Sequence, residues 1–224
     1  MLASTAAISF GLLVGARHAF EPDHLAAVST LVADAKNPRG ATMLGLLWGL
    51  GHTIALLGVG IALVLIDGAL PARVSVGFEL AVAAMLVILG LRAMVRGLRN
   101  ADGDAGTHRH GGVEHAHRGA GAHVHVGDRA IAWRPLTIGI VHGLAGSGAL
   151  TALAFAELPD NLARIVYMVL FGAGSIAGMA VATGVAGAAL QRIARGHGMR
   201  RWLAITTGFA SCACGVVWAV PLVA

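Results

Sequence analysis

The chain has 224 residues, of which 57% are hydrophobic and only 12% charged, with a formal net charge of +5. A soluble domain carries roughly twice that charged fraction, so an ordinary water-soluble enzyme is excluded. The positive excess is expected to report membrane topology and requires no nucleic-acid partner.

Apolar runs recur along the whole length. The first, 2–32, is too long for one straight crossing and is interrupted by RHAFEPDH at 17–24. Run 41–66 has His52 as its only ionisable group, and run 75–91 has one acid, Glu79. After a long polar stretch, 135–156 holds only His142, while 165–190 and 202–224 carry no charged side chain. A helix needs roughly 20 apolar residues to cross a bilayer core. The pattern therefore predicts an all-α polytopic membrane protein with six transmembrane helices, the first broken at Pro22. No basic n-region precedes the first run, so a cleaved signal peptide is not expected.

Thirteen of the sixteen Lys and Arg residues fall in the connections after spans one, three and five, from Lys36 to Arg201. Arg73 and Arg164 fall on the other side, and Arg17 lies inside span one. The positive-inside rule then puts the thirteen in the cytoplasm and both termini outside, in a cytoplasmic (inner) membrane. Cys212 and Cys214, at i,i+2 in the last span, point in well-separated directions on a helix and read as small packing residues.

Three spans, a long loop and three more suggest duplication: 1–98 a first three-helix repeat, 99–134 a His-rich cytoplasmic loop, 135–224 a second repeat. GLLVG (11–15) resembles GIVHG (139–143) at an offset of 128, LWGLGHTIA (47–55) resembles LFGAGSIAG (170–178) at 123, and GFELA (77–81) resembles GFASC (208–212) at 131. An odd number of spans per unit inverts the second unit, an arrangement that places transporter sites at interrupted helices near mid-membrane. AGSG (145–148) is expected to loosen span four where Pro22 interrupts span one. The pairs Gly11/Gly15, Gly45/Gly49, Gly139/Gly143 and Gly174/Gly178 are small-xxx-small spacings that let helix backbones meet in lipid.

On a regular helix His18 and Asp23 would lie about 140° apart, and His24 about 100° further on. Pro22 lacks an N–H and clashes with the carbonyl of His18, and it pushes Glu21 out of helical geometry. Two half-helices are expected, the second opening on Pro22. The break lets His18, Asp23 and His24 turn toward a common point. Imidazole suits nickel, copper, zinc and iron, a carboxylate neutralises charge, and mixed N,O sets allow tetragonal Ni(II) or Cu(II). Ionisable groups inside a membrane are functional by default, and a divalent transition-metal ion is the partner these imply. The competing reading is an internal salt-bridge cluster of Arg17 with Glu21 or Asp23.

The spacing His-x4-Asp-His at His18, Asp23 and His24 resembles the signature of the nickel/cobalt transporter superfamily (NiCoT/NicO). The six-helix, urease-associated type of nickel permease is the nearest in form. GLGHT (49–53) is similar to that family's second histidine motif, and HGLAGSGAL (142–150) to a segment of the urease-associated branch. The chain departs in carrying Glu21-Pro22 where larger members have Asp-Ala, and in having six spans where they have eight. The resemblance implies that His18, Asp23 and His24 bind Ni2+ or Co2+ as transported ion, with His52 as a fourth ligand, and that the chain is not an enzyme and has no cofactor. Second in rank stand Glu21, Glu79 and His142. Glu79 is either a pathway residue or an acid paired with Arg73 or solvent; His142 is either a pathway residue or a core histidine bonded to a backbone carbonyl.

The loop holds three His-x-His pairs, His108/His110, His115/His117 and His123/His125, among Gly and Ala that cannot build a core. His-rich tracts bind metals, so this one is expected to stay flexible and to receive, buffer or deliver the ion, conceivably to a cytoplasmic metallochaperone. No phosphate-cradling loop is present, since the only lysine, Lys36, stands in DAKNP. Transport must then be secondary, and import is favoured. A proton-coupled exporter, an intramembrane metal-dependent hydrolase and a metal-binding scaffold without transport are the alternatives.

Overall fold

The computed structural model describes residues 2–32, 37–66, 68, 70–99, 106–110, 113–117, 124–126, 129–131, 133–158, 160–194 and 197–223. Side chains within 2–9, 106–131 and 146–157, and that of His197, fall outside the description. Among the described residues seven helices carry the fold: α1 (Leu2–His18), α2 (Pro22–Val32), α3 (Pro38–Leu65), α4 (Ala72–Leu98), α5 (Trp133–Glu157), α6 (Asn161–Ile193) and α7 (His197–Val223). The helix starts follow local chemistry. Asn37 caps α3 by accepting from the Gly40 N–H at 2.7 Å, with Pro38 as first helical residue. Asp160 caps α6 in the same way, accepting from Ala163 N–H at 2.8 Å.

Helices α3, α4, α6 and α7 are each long and apolar enough to cross a bilayer. The first apolar run is divided: α1 has 17 residues and α2 has 11, the second well short of a full span. Large apolar side chains such as Leu13, Val169, Val185, Phe209 and Val217 face outward, whereas Asp23, His24, His52 and His142 are buried. Polar groups inside and aliphatic groups outside is the distribution that lipid selects. The protein is a helical, polytopic membrane protein.

Two sequence expectations are corrected. Helix α5 continues through 145–148, so AGSG does not break it; two glycines weaken a helix but leave its N–H groups in place, unlike proline. The loop is not featureless: β1 (Gly106–His110) pairs antiparallel with β2 (Val113–His117), and β3 (Val124–Val126) with β4 (Arg129–Ile131). The alternation of His with other residues gives the period of two that a ribbon needs.

The main packing interfaces are α3 with α6 and α5, α1 with α6, and α4 with α7. Small residues make them close. A Cβ added to Gly15 would collide with the backbone carbonyl of Phe171, and one added to Gly139 with that of Trp48. Hydroxyls tie the seams: Thr53 Oγ1 donates to the Gly172 carbonyl at 3.1 Å, Ser175 Oγ to Gly15 at 3.2 Å and Ser211 Oγ to Leu86 at 2.9 Å. Cys212, a free thiol on α7, packs its sulfur 3.5 Å from the Val87 carbonyl, as a small interface residue does. Together α3 and α6 form the centre, with α5 packed on α3 and α1 on α6.

Overpacking in a tight interface costs typically 1–3 kcal/mol. Gly15→Ala and Gly139→Ala should each lower the melting temperature of detergent-purified protein. Gly58, which has open space where its Cβ would stand, should gain or hold stability as Ala, because Gly is about 1 kcal/mol worse than Ala in a helix. Equal melting temperatures for all three variants would refute the close-approach account.

Candidate metal centre

The site is built on the interruption between α1 and α2. Because Pro22 has no N–H, the His18 carbonyl cannot receive its usual i+4 donor. It accepts instead from Glu21 N–H at 3.0 Å, and the Arg17 carbonyl accepts from Phe20 N–H at 2.9 Å. These i→i+3 bonds close the last turn of α1 tightly. Glu21 then caps α2, its carbonyl accepting from Leu25 N–H at 2.9 Å, with Pro22 as first residue of the new helix. The sequence reading of two half-helices meeting at Pro22 therefore describes the observed backbone.

The change of direction brings the polar side chains together. Ligand atoms of His18, His24 and His52 lie within 4.8 Å of one another, and so do those of Asp23, His24 and His142. Ring centroids are 4.3 Å apart for His18–His24 and 4.1 Å for His24–His142, and His52 stands 5.3 Å from His18 and 5.4 Å from His24. Asp23 uses both oxygens: Oδ1 meets His24 Nδ1 at 3.0 Å and Oδ2 meets His142 Nε2 at 2.9 Å. Glu21, its side chain half exposed, pairs through Oε2 with His18 Nδ1 at 3.0 Å. Each of these three histidines thus has one ring nitrogen on a carboxylate, the arrangement that fixes the orientation of metal-binding imidazoles.

The opposite nitrogens are the informative ones. His18 Nε2, His24 Nε2, His142 Nδ1 and both nitrogens of His52 are buried without a hydrogen-bond partner. A buried unsatisfied polar group costs about 1–3 kcal/mol, and one shared metal ion would relieve several of these costs at once. Neutral imidazoles with a carboxylate form a borderline donor set that suits Ni(II), Co(II), Cu(II) or Zn(II). Trp48 and Phe171 wall the cluster, with Trp48 5.5 Å from His24 and 5.6 Å from His142, and Phe171 5.3 Å from His18.

His18, Asp23, His24 and His52 all stand in this cluster. His142 stands there too, bonded to a carboxylate where a backbone carbonyl was the alternative considered. Arg17 is exposed, and among the described ion pairs it joins neither acid; the salt-bridge reading is corrected accordingly. Glu79 lies outside the cluster and accepts from Ser75 Oγ at 3.3 Å, one turn earlier on α4, in place of the Arg73 pairing considered. The side chains of His108, His110, His115, His117, His123 and His125 lie outside the description; the backbone register of the loop sets His108 opposite His115. Sequence reasoning missed Trp48. Its i,i+4 spacing from His52 on an otherwise aliphatic helix was the available signal.

Residues 2–220 match the profile of a protein family described as "NicO: High-affinity nickel-transport protein". The chain is also 31% identical over 210 residues, 93% of its length and 88% of the other protein, to the "Urease accessory protein UreH" of Bacillus sp. (strain TB-90). No solved structure matches the chain.

The break is testable through Pro22→Ala, which restores the N–H that a continuous helix needs and spreads the ligands around its axis. Ni2+ affinity should fall at least about tenfold, equivalent to about 1.4 kcal/mol, while the protein stays monodisperse. Calorimetric titration reads this once the signal of the corresponding His24→Ala protein is subtracted, which removes the loop histidines. Unchanged affinity would mean that α3, α5 and α6 alone hold the ligands.

Proposed function

This chain belongs to the NicO family of high-affinity nickel-transport proteins, and from that premise we propose that it imports Ni2+ or Co2+ through the buried cluster of His18, Asp23, His24 and His52. Family membership also removes the metal-dependent hydrolase from consideration, because the family is one of permeases. The observation that carries the reading is the gathering of four histidines and an aspartate at a helix break in a membrane protein. For a divalent cation an inside-negative potential contributes roughly 4.6 kcal/mol per 100 mV, more than about a thousandfold in concentration ratio. Import then needs no second ion.

Six spans in two inverted halves, residues 1–98 and 135–224, account for the packing. Gly15 against Phe171 and Gly139 against Trp48 are the same contact with the halves exchanged, as are Gly174 against Leu12 and Gly51 against Leu136. An offset of 124 carries Gly15 to Gly139 and Leu12 to Leu136, and 123 carries Trp48 to Phe171 and Gly51 to Gly174. These contacts favour 124 over 128 for the first pair of matching segments, one helical turn away. That offset also carries His18 to His142. The positive-inside rule orients the whole in the cytoplasmic membrane with both termini outside. The loop at 99–134 then faces the cytoplasm, where its histidines pass the ion onward, to a metallochaperone where one is present.

Expression should raise radioactive nickel accumulation in cells, and His18→Ala, Asp23→Ala and His24→Ala should each lower it at least about tenfold with membrane insertion intact. Reduced accumulation on expression of the wild type would reverse the direction. Reporter fusions after Arg99 and Arg195 should read cytoplasmic and those after Pro71 and Asp160 external; the opposite pattern would overturn the orientation.

A further inference from the structure

We propose that the cluster is two metal subsites in series that share His24, and that His142 is a ligand of the second. The inference rests on the cluster being the transport site. One subsite is His18, His24 and His52; the other is Asp23, His24 and His142. They differ in surroundings. His18 retains slight exposure, and its carboxylate partner Glu21 is half exposed at the break, so the first subsite adjoins the outside of the helix bundle. His142 and Asp23 are buried beside the fully buried Trp48, so the second subsite has no member as exposed as His18, although His52 of the first is fully buried too.

His24 connects them through opposite edges of one ring. Its Nδ1 faces Asp23, and its Nε2 is the nitrogen left over. A neutral imidazole carries one proton and one lone pair. With the proton on Nδ1 the lone pair is on Nε2, available to the first subsite; with the proton on Nε2 it is on Nδ1, beside Asp23 of the second. His24 therefore serves one subsite at a time, and the cluster holds a single ion that changes places across the ring. His142 adds to this an unpartnered, buried Nδ1, while its Nε2 is kept on Asp23. That Nδ1 is the atom that can take the ion while Nε2 stays on Asp23, and binding the ion there would relieve the cost of its burial.

The test counts ions on full-length purified protein by equilibrium dialysis with Co2+, alongside nickel flux in cells. His24→Gln should lose one equivalent relative to wild type, because both subsites fail together. His52→Gln and His142→Gln should each keep that equivalent, held by the subsite left intact, yet lose at least tenfold in flux. The visible Co2+ difference spectrum, taken against His24→Gln to cancel the loop histidines, should differ between His52→Gln and His142→Gln. Glutamine can still donate a hydrogen bond to Asp23, so near-normal flux in His142→Gln would make His142 a positioning residue and overturn the proposal. Loss of the equivalent in His142→Gln, two equivalents lost in His24→Gln, or identical spectra in the two single variants would overturn it as well. Asp23→Asn, altered in the same subsite by a different side chain, must reproduce the retained equivalent and lost flux. No change of equivalents in His24→Gln would instead sink the transport-site reading itself.

Discussion

A carboxylate within a membrane protein must find its compensation among protein groups, because hydrocarbon offers none. Asp23 finds it by dividing its two oxygens between His24, its neighbour in sequence, and His142, on α5. The broken first helix is thereby joined to α5 by polar contacts, in addition to the close packing of α1 on α6. His24 could not meet Asp23 and His18 at once on a straight helix; the turn at 19–21 is what lets one residue serve both directions. The tight hydrogen bonds of that turn complete the arrangement, since they leave neither the Arg17 nor the His18 carbonyl exposed to lipid.

The glycine seams supply the distances. Imidazoles on α1, α2, α3 and α5 can touch only if four backbones converge within side-chain reach. Gly143 lies against the backbone of His52, and Gly139 against that of Trp48, so α5 approaches α3 with no side chain between them. On the other side Gly15 and Gly174 bring α1 onto α6. The residues that carry no chemistry therefore set the geometry of those that do. Trp48 links the two roles: its carbonyl sits in the seam while its ring walls the cluster.

The parts legible in the sequence were those governed by local rules. Pro22 announces its helix break because the missing N–H acts within four residues, and the apolar runs announce helices because span length is fixed by the bilayer. The motif residues His18, Asp23 and His24 were legible for the same reason, being close in sequence and costly in lipid. His142 was ambiguous because its partner lies 119 residues away; whether a lone histidine faces a carbonyl or a carboxylate is decided by packing. Glu79 was ambiguous in the opposite sense, since Arg73 and Ser75 both lie within two turns and helix phase chose Ser75. The AGSG segment misled because glycine and proline both punctuate sequences, yet only proline removes a donor.

The separation of Asp23 from His142 has a consequence for how the protein is made. A ribosome adds about 5–20 residues per second, so the 119 residues between these partners occupy about 6–24 s of synthesis. Until α5 is made, Asp23 lacks the partner that His142 provides in the complete chain. Until then the first helix pair has only part of the polar compensation that the finished protein gives its aspartate. The completed second half does more than add helices: it makes the burial of the first one permanent.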